Sequence, residues 1–323
     1  MLNRNYRYTI LLAFTLLFSS AVVAQEKQDK KDKLSGTPVM WHENDVASAN
    51  TLTGPGGEEM RPDLSKIEFI RQETGGYSTK YRIRDGAGKV WVAKVGAEAQ
   101  SETAAVRLLS ALGYLTEVNY LVPELTIPGK GTHKNVRLEA RPDDVERVDR
   151  WRWKESPFKG TREMQGLKIM MAFFNNWDMK DDNNVILKRG DQLQYVISDL
   201  GVSFGRTGKN ALPLFWIMGR SRNEPTEYAE TDLIRDVKSG KIKFEFNGKN
   251  RDLLKDITRD DARWLVERLN RLSNAQIEDA FRAANYSQED VDLLTSSVKR
   301  RIRALDLATQ GIVAETTASE EEN

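Results

Sequence analysis

Cysteine is absent from the 323 residues, and histidine occurs only at His42 and His133. No disulfide, thiolate metal site or cysteine nucleophile can therefore form. Two isolated histidines without neighbouring carboxylate spacing make no zinc motif. They also remove a hydrolytic reading of Gly201–Gly205, "GVSFG", which matches the G-x-S-x-G nucleophile elbow. That chemistry needs a histidine base later in the chain, and both histidines precede Ser203. An excess of one charge is missing too: 49 basic residues stand against 48 acidic ones, for a net charge of +1. Binding to DNA or RNA rests on a clustered basic excess, so no nucleic acid is expected as a partner. No internal repeat is visible.

The one marked apolar run is near the start, Thr9–Val23, shorter than the roughly 20 residues that span a bilayer. Arg4 and Arg7 precede it, and "VVA" (Val22–Ala24) supplies small residues for cleavage before Gln25. Residues 1–24 are expected to be a signal peptide, with an uncleaved anchor as the alternative, and the protein to be periplasmic or secreted. Residues 25–62 open on the charged stretch "QEKQDKKDKLSG" and include the turn-rich "TLTGPGGEEMRP". They are expected to form a disordered or loop linker. Residues 311–323, ending in "SEEEN", are expected to be a solvated tail.

Between these ends the hydrophobic period changes. "KIEFIRQE", "KYRIRD" and "KVWVAKVG" alternate or run apolar as strands do, the last two across the turn "GAG". "SETAAVRLLSALGY" fits a helix capped by Ser101, with Ala105, Leu108, Leu109 and Leu112 on one face. "YLVPELTI" and "NVRLEAR" add two strands. The second half turns helical. Leu167, Met170, Met171 and Phe174 fall at i, i+3, i+4 and i+7, and "NNVIL" and "QYVISDLG" make two short strands. Ser273 and Gln276 form a capping box, and Ser287 caps a last helix with Val291, Leu294, Val298, Ile302 and Leu305 inward. The plan is α+β: a small β-rich lobe over 63–127, then a hinge and a larger helical lobe over 128–310.

The chemistry concentrates in "WDMKDDNN" (Trp177–Asn184) and the "DLG" that starts at Asp199. Phosphoryl transfer needs a carboxylate near the nucleophile, oxygen donors for a divalent ion, and a cation on the phosphates. Asp178, Lys180, Asn183 and Asp199 are that set in order, and the strand hairpin between them returns Asp199 to the end where Asn183 sits. Upstream, Lys94 interrupts the apolar strand "VWVAKV", and Glu102, in the first turn of the next helix, could orient it; Glu98 is a second candidate. "ETGGYSTKY" (Glu73–Tyr81), with Gly75, Gly76 and Ser78, could fold over phosphates through its backbone N–H groups. Asp181, Asp182 and Asn184 read as polar support.

The D-x-K-x-x-N loop, the DLG and the strand lysine together resemble a divergent protein-kinase-like fold, of the HipA-like and phosphoinositide-kinase-like sort. The chain is also similar to a group of exported bacterial proteins bearing "NNWD-x-K-x-x-NN" and "DLG". The resemblance implies a two-lobed fold that binds ATP and Mg²⁺. It implies Asp178 as catalytic base, Lys180 as a phosphate contact, Asn183 and Asp199 as metal ligands, and Lys94 with Glu102 as the nucleotide-positioning pair. Trp177 stands where such loops carry histidine, and no "APE" follows the DLG. The expected function is phosphoryl transfer to a protein, lipid or small molecule; the alternative is an inactive kinase-like binding module of the cell envelope. "RWRWKESPFKGTR" (Arg150–Arg162) sets Trp151 and Trp153 among cations, which fits contact with an envelope surface or packing onto the helical lobe.

Overall fold

The computed structural model describes residues 34–75, 78–208 and 219–313. The expected signal peptide and residues 314–323 of the expected tail lie outside them.

A short strand, β1 (Thr37–Val39), comes first. Five strands then form one antiparallel sheet: β2 (Glu68–Glu73), β3 (Thr79–Arg84), β4 (Val90–Val95), β5 (Asn119–Ile127) and β6 (Gly131–Ala140), in the order β2-β3-β4-β6-β5. Successive side chains on a strand point to opposite faces. One face therefore collects Ile83, Trp91, Ala93, Val136 and Leu138 into an apolar core. The other carries Val92 and Lys94 from β4 and, directly across, Glu139 and Arg137 from β6. Helix α1 (Glu98–Ala111) joins β4 to β5 and packs on β5 and β6. It begins three residues before Ser101, with Ala97 at its N-cap and no side-chain cap. Ser101 is thus inside the first turn, where its Oγ donates to the Gly201 carbonyl at 2.6 Å.

The β5–β6 hairpin pairs Ile127 with Gly131 and Thr126 with Thr132. A lobe boundary between 127 and 128 would cut that hairpin, so the sheet half runs to Ala140. Residues 128–130, expected to begin the hinge, are instead a hairpin turn, since Ile127 and Gly131 pair on either side of it.

Beyond it lie β7 (Glu146–Asp149), helix α2 (Arg162–Phe173), β8 (Asn184–Arg189) and β9 (Gln192–Ile197). The sheet β1-β9-β8-β7 is completed by β1, parallel to β9. So the stretch 34–62, expected as disordered or loop, is an ordered strap: its start lies on the second half, and its end packs on α1 and β5, where the Tyr120 hydroxyl donates to the Gly57 carbonyl at 2.6 Å. Met40 and Val46 are buried in the core of the second half, and the Gln276 amide donates to the Val46 and Ala49 carbonyls at 2.8 Å each. Then come a short helix, α3 (Pro225–Ala229), an unanticipated hairpin of β10 (Ile234–Lys238) and β11 (Lys241–Phe244), and helices α4 (Arg259–Leu269), α5 (Asn274–Arg282) and α6 (Gln288–Gln310). Ser273 and Gln276 make the expected capping box, and Ser287 caps α6. Val291, Leu294, Val298, Ile302 and Leu305 are all buried, as the 3.6-residue period requires. The chain is α+β, β-rich first and helical after.

Arg150–Arg162 contains no strand before α2. Trp151 and Trp153 are buried to 3% and 2% exposure, edge to face at 4.9 Å, and the Trp151 indole N–H donates to the Val196 carbonyl at 2.9 Å. Both rings are core, which removes the aromatic half of the proposed surface contact. No helix among the described residues is long and apolar enough to cross a membrane.

Candidate active site

A cleft of about 750 Å³ lies under the charged face of the five-stranded sheet. Lys94, Asp178, Lys180, Asn183 and Asp199 all line it, together with Gly75 and Ser78. Residues scattered over more than a hundred positions are thus brought to one hollow.

Lys94 is 2% exposed. Its ammonium lies 2.8 Å from Glu98 Oε2, 2.9 Å from Glu102 Oε2 and 3.3 Å from Asp199 Oδ1. Burial alone would lower its pKa, but the carboxylates of Glu102, Asp199 and Glu98 outweigh that and raise it, so the lysine is charged. Glu102 holds Arg137 as well, at 2.5 Å, and Arg137 holds Glu139 at 2.6 Å. Arg141 and Arg147 continue the chain to Glu139 and Glu117. Burial, with the Glu139 carboxylate beside it, pushes Glu117 up to about 7. Glu98 is the junction. Besides Lys94 it accepts from the Ser78 hydroxyl at 2.7 Å and pairs with Arg222 at 2.5 Å. Burial works to raise its pKa, yet these partners hold it at about 2.

On the opposite wall a 3-10 turn (Asp181–Asn183) leads into β8. The Asn183 amide donates to the Asp178 carbonyl at 2.8 Å and to Asp178 Oδ2 at 3.2 Å. Its Oδ1, the atom with which an amide binds metal, has no hydrogen-bond donor among the described residues. The Ser198 N–H donates to the Asn183 carbonyl at 2.7 Å, which sets Asp199 beside Asn183 at the end of the β8–β9 hairpin. Asp199 Oδ1 accepts from the Gly201 N–H at 3.1 Å. Gly201 has to be glycine: a Cβ there would meet Glu98 Cβ at 2.7 Å and Lys94 Nζ at 3.0 Å.

Asp178 is gripped on both oxygens, by Lys180 at 2.7 Å and Lys249 at 2.6 Å. Burial opposes ionisation, but the two ammonium groups win and hold its pKa below the usual value. Lys249 has no sequence signal beyond the turn-like "FNGKN". It is delivered by its own N–H, which donates to the Trp177 carbonyl at 2.7 Å. Trp177 lies beneath two guanidinium groups, Arg220 at 5.3 Å and Arg222 at 5.6 Å from the ring centre.

Of the phosphate-loop candidates, Gly75 lines the cleft with a φ of +116°, which a side chain would strain. Ser78 also lines it, though its hydroxyl is committed to Glu98, and Gly76 lies outside the described residues. The supporting roles read for Asp181, Asp182 and Asn184 hold: they bind the Trp153 N–H, Arg150 and the Trp151 carbonyl. Ser203 is fully buried, as suits a serine that is no nucleophile.

No protein-family model matches the chain, and no curated protein is similar to it in sequence. Among solved structures it is similar to the Helicobacter pylori proinflammatory kinase CtkA, with 12% identity and a TM-score of 0.47 over 77% of this chain and 97% of that one. It is also similar to the Rio2 kinase of Chaetomium thermophilum, solved in an ADP/Mg²⁺-phosphoaspartate complex, with 10% identity and a TM-score of 0.30 over 73% and 71% of the two chains.

Proposed function

We propose that this chain is a kinase-like phosphotransferase that moves a phosphoryl group from ATP, with Mg²⁺, to an acceptor that is a protein, a lipid or a small molecule. One observation carries the reading: Lys94, Asp178, Asn183 and Asp199 meet in one cleft, with Lys94 ion-paired to both Glu102 and Asp199. That is the constellation phosphoryl transfer asks for. Lys94, fixed by Glu102, and Lys180 would hold phosphate oxygens, and Gly75 and Ser78 would cover them. Asp178 is ionised and can orient the acceptor hydroxyl and take its proton.

Asn183 Oδ1 and the free oxygen of Asp199 are hard donors, the kind magnesium accepts alongside phosphate oxygens. Among the described residues no group of three or more histidines or carboxylates could hold an ion unaided. Two protein donors therefore fit an ion shared with a phosphate-bearing ligand. When bound, magnesium would neutralise charge on the phosphates; positioning remains the work of the side chains.

Fold alone does not fix function, so the test is chemical. Mature protein is incubated with Mg²⁺ and labelled ATP beside Asp178→Ala and Asp199→Ala. Either substitution should cut transfer by about 100-fold or more. Transfer that ignores both carboxylates defeats the proposal. Binding that stabilises the fold without transfer assigns the cleft to an inactive binding module. Export belongs to the same proposal and rests on residues 1–24: N-terminal sequencing of protein from the envelope should begin at Gln25, a retained Met1 there would mean an uncleaved anchor, and protein found only in the cytoplasm would refute export.

A further inference from the structure

The cations of the cleft are, with one exception, matched by carboxylates. Lys94 has Glu98, Glu102 and Asp199; Arg137 has Glu102 and Glu139; Lys180 and Lys249 share Asp178; Arg222 has Glu98. Arg141 and Arg147 have Glu117 and Glu139, and Arg150 has Asp182. The exception is Lys80. It lines the same cleft and is half-buried, and among the described residues its ammonium meets no carboxylate and makes no hydrogen bond.

Its place on the sheet makes that costly. Lys80 on β3 sits directly opposite Lys94 on β4, and Lys94 sits directly opposite Arg137 on β6. Opposed residues share a face, with Cβ atoms about 5 Å apart, and like charges in that relation repel. Three cations therefore stand abreast under the sheet. The second and third are relieved by glutamates from α1 and β6, and the first is not. An uncompensated ammonium kept beside two others in a hollow is a site for an anion from outside the chain.

We infer that Lys80 is a second phosphate-binding lysine, which pairs with the phosphate chain of a bound nucleoside polyphosphate alongside Lys94. The inference rests on the phosphotransferase reading and adds to it a residue of the Glu73–Tyr81 stretch beyond Gly75, Gly76 and Ser78. Lys80 is the second residue of β3, two after Ser78, so it would reach the phosphates from the strand beside that of Lys94. Its role is electrostatic and directed to the chain of phosphates, so the base should not feel it.

The test is nucleotide affinity, measured by calorimetry with Mg²⁺ for ATP and AMP on the full chain, on Lys80→Met and on Lys80→Arg. Lys80→Met should weaken ATP about ten-fold, equivalent to about 1.4 kcal/mol, and leave AMP nearly unchanged. Lys80→Arg should restore ATP binding. The melting temperature of unliganded Lys80→Met should be unchanged or higher, because a repulsion is removed; a lysine with a structural role would lower it. If wild type binds ATP and Lys80→Met binds it equally well, this inference is overturned while the phosphotransferase reading stands. If wild type binds no nucleotide, both fall, and wild type alone shows it.

Discussion

Replacing Glu102 by glutamine keeps the shape of a side chain that is 2% exposed and deletes the charge that Lys94 and Arg137 share. Burial pushes the Glu102 carboxyl up, and the Arg137 and Lys94 cations within 2.9 Å pull against that rise. Breaking a buried pair from one side leaves an uncompensated charge and costs about 3–5 kcal/mol. Glu98 and Asp199 still face Lys94, and Glu139 still faces Arg137, so the lower end applies. For a domain of this size each kcal/mol moves the melting temperature by about 2–4 °C, which puts the expected drop near 10 °C. Scanning calorimetry at pH 7, without nucleotide, measures it. The same substitution frees the lysine to turn toward Asp199, so ATP binding should weaken in parallel. A drop under about 2 °C would mean that burial keeps Glu102 protonated, and the chain of ion pairs from Lys94 to Arg137 would then be wrong.

Two further outcomes follow from the same site. Glu98 sits at about 2 when folded against an ordinary 4.5, so its contribution is whole above pH 4.5 and is lost as the pH falls toward 2. Over that window wild type should lose about 3 kcal/mol more stability than Glu98→Gln in urea titrations, and parallel curves for the two would refute the assignment. Gly201→Ala drives a methyl into Glu98 Cβ, which cannot swing aside as the Lys94 ammonium can. It should cost about 1–3 kcal/mol and weaken ATP binding, whereas Gly88→Ala, in open space on a turn, should leave ATP binding untouched.

The strands, the final helices and their caps were legible because each depends on short-range rules. Alternation marks a strand with one apolar face, and Ser273 and Ser287 are followed by the groups their caps need. What stayed hidden depends on distant partners. "NVRLEAR" alternates perfectly, and its polar positions would ordinarily face water. Here Arg137 and Glu139 face the second half of the molecule and are buried with their charges. Periodicity reveals which side of a strand is polar, never what covers that side. Ser101 misled for a related reason: a serine beside an acidic residue at the start of an apolar period looks like a cap. The helix extends past it because its hydroxyl has a better acceptor, the Gly201 carbonyl, a hundred residues away. The Trp151 and Trp153 pair, set among cations, likewise suggested a surface contact. In the fold the two rings are wedged into the core by an irregular segment.

The motif residues were legible for a different reason: their spacing is set by local geometry. Asn183 can bind the Asp178 carbonyl because it follows five positions later across a tight turn, and the β8–β9 hairpin returns the chain to Asp199. Lys249 and Lys80 escape that logic. Lys249 is carried to Asp178 by a loop from another part of the helical half, and it leaves one carboxylate between two ammonium groups. That arrangement keeps Asp178 ionised but lowers its basicity, so an acceptor hydroxyl gains most if it draws Lys249 away as it enters. A site whose candidate base is released by the arriving ligand would be quiet until both nucleotide and acceptor are present. Lys249→Met should then raise the Asp178 pKa, because one of its two cations is lost, and increase ATP hydrolysis in the absence of acceptor. Unchanged hydrolysis, with transfer intact, would mean that the Lys249 contact anchors the loop and does not restrain the base.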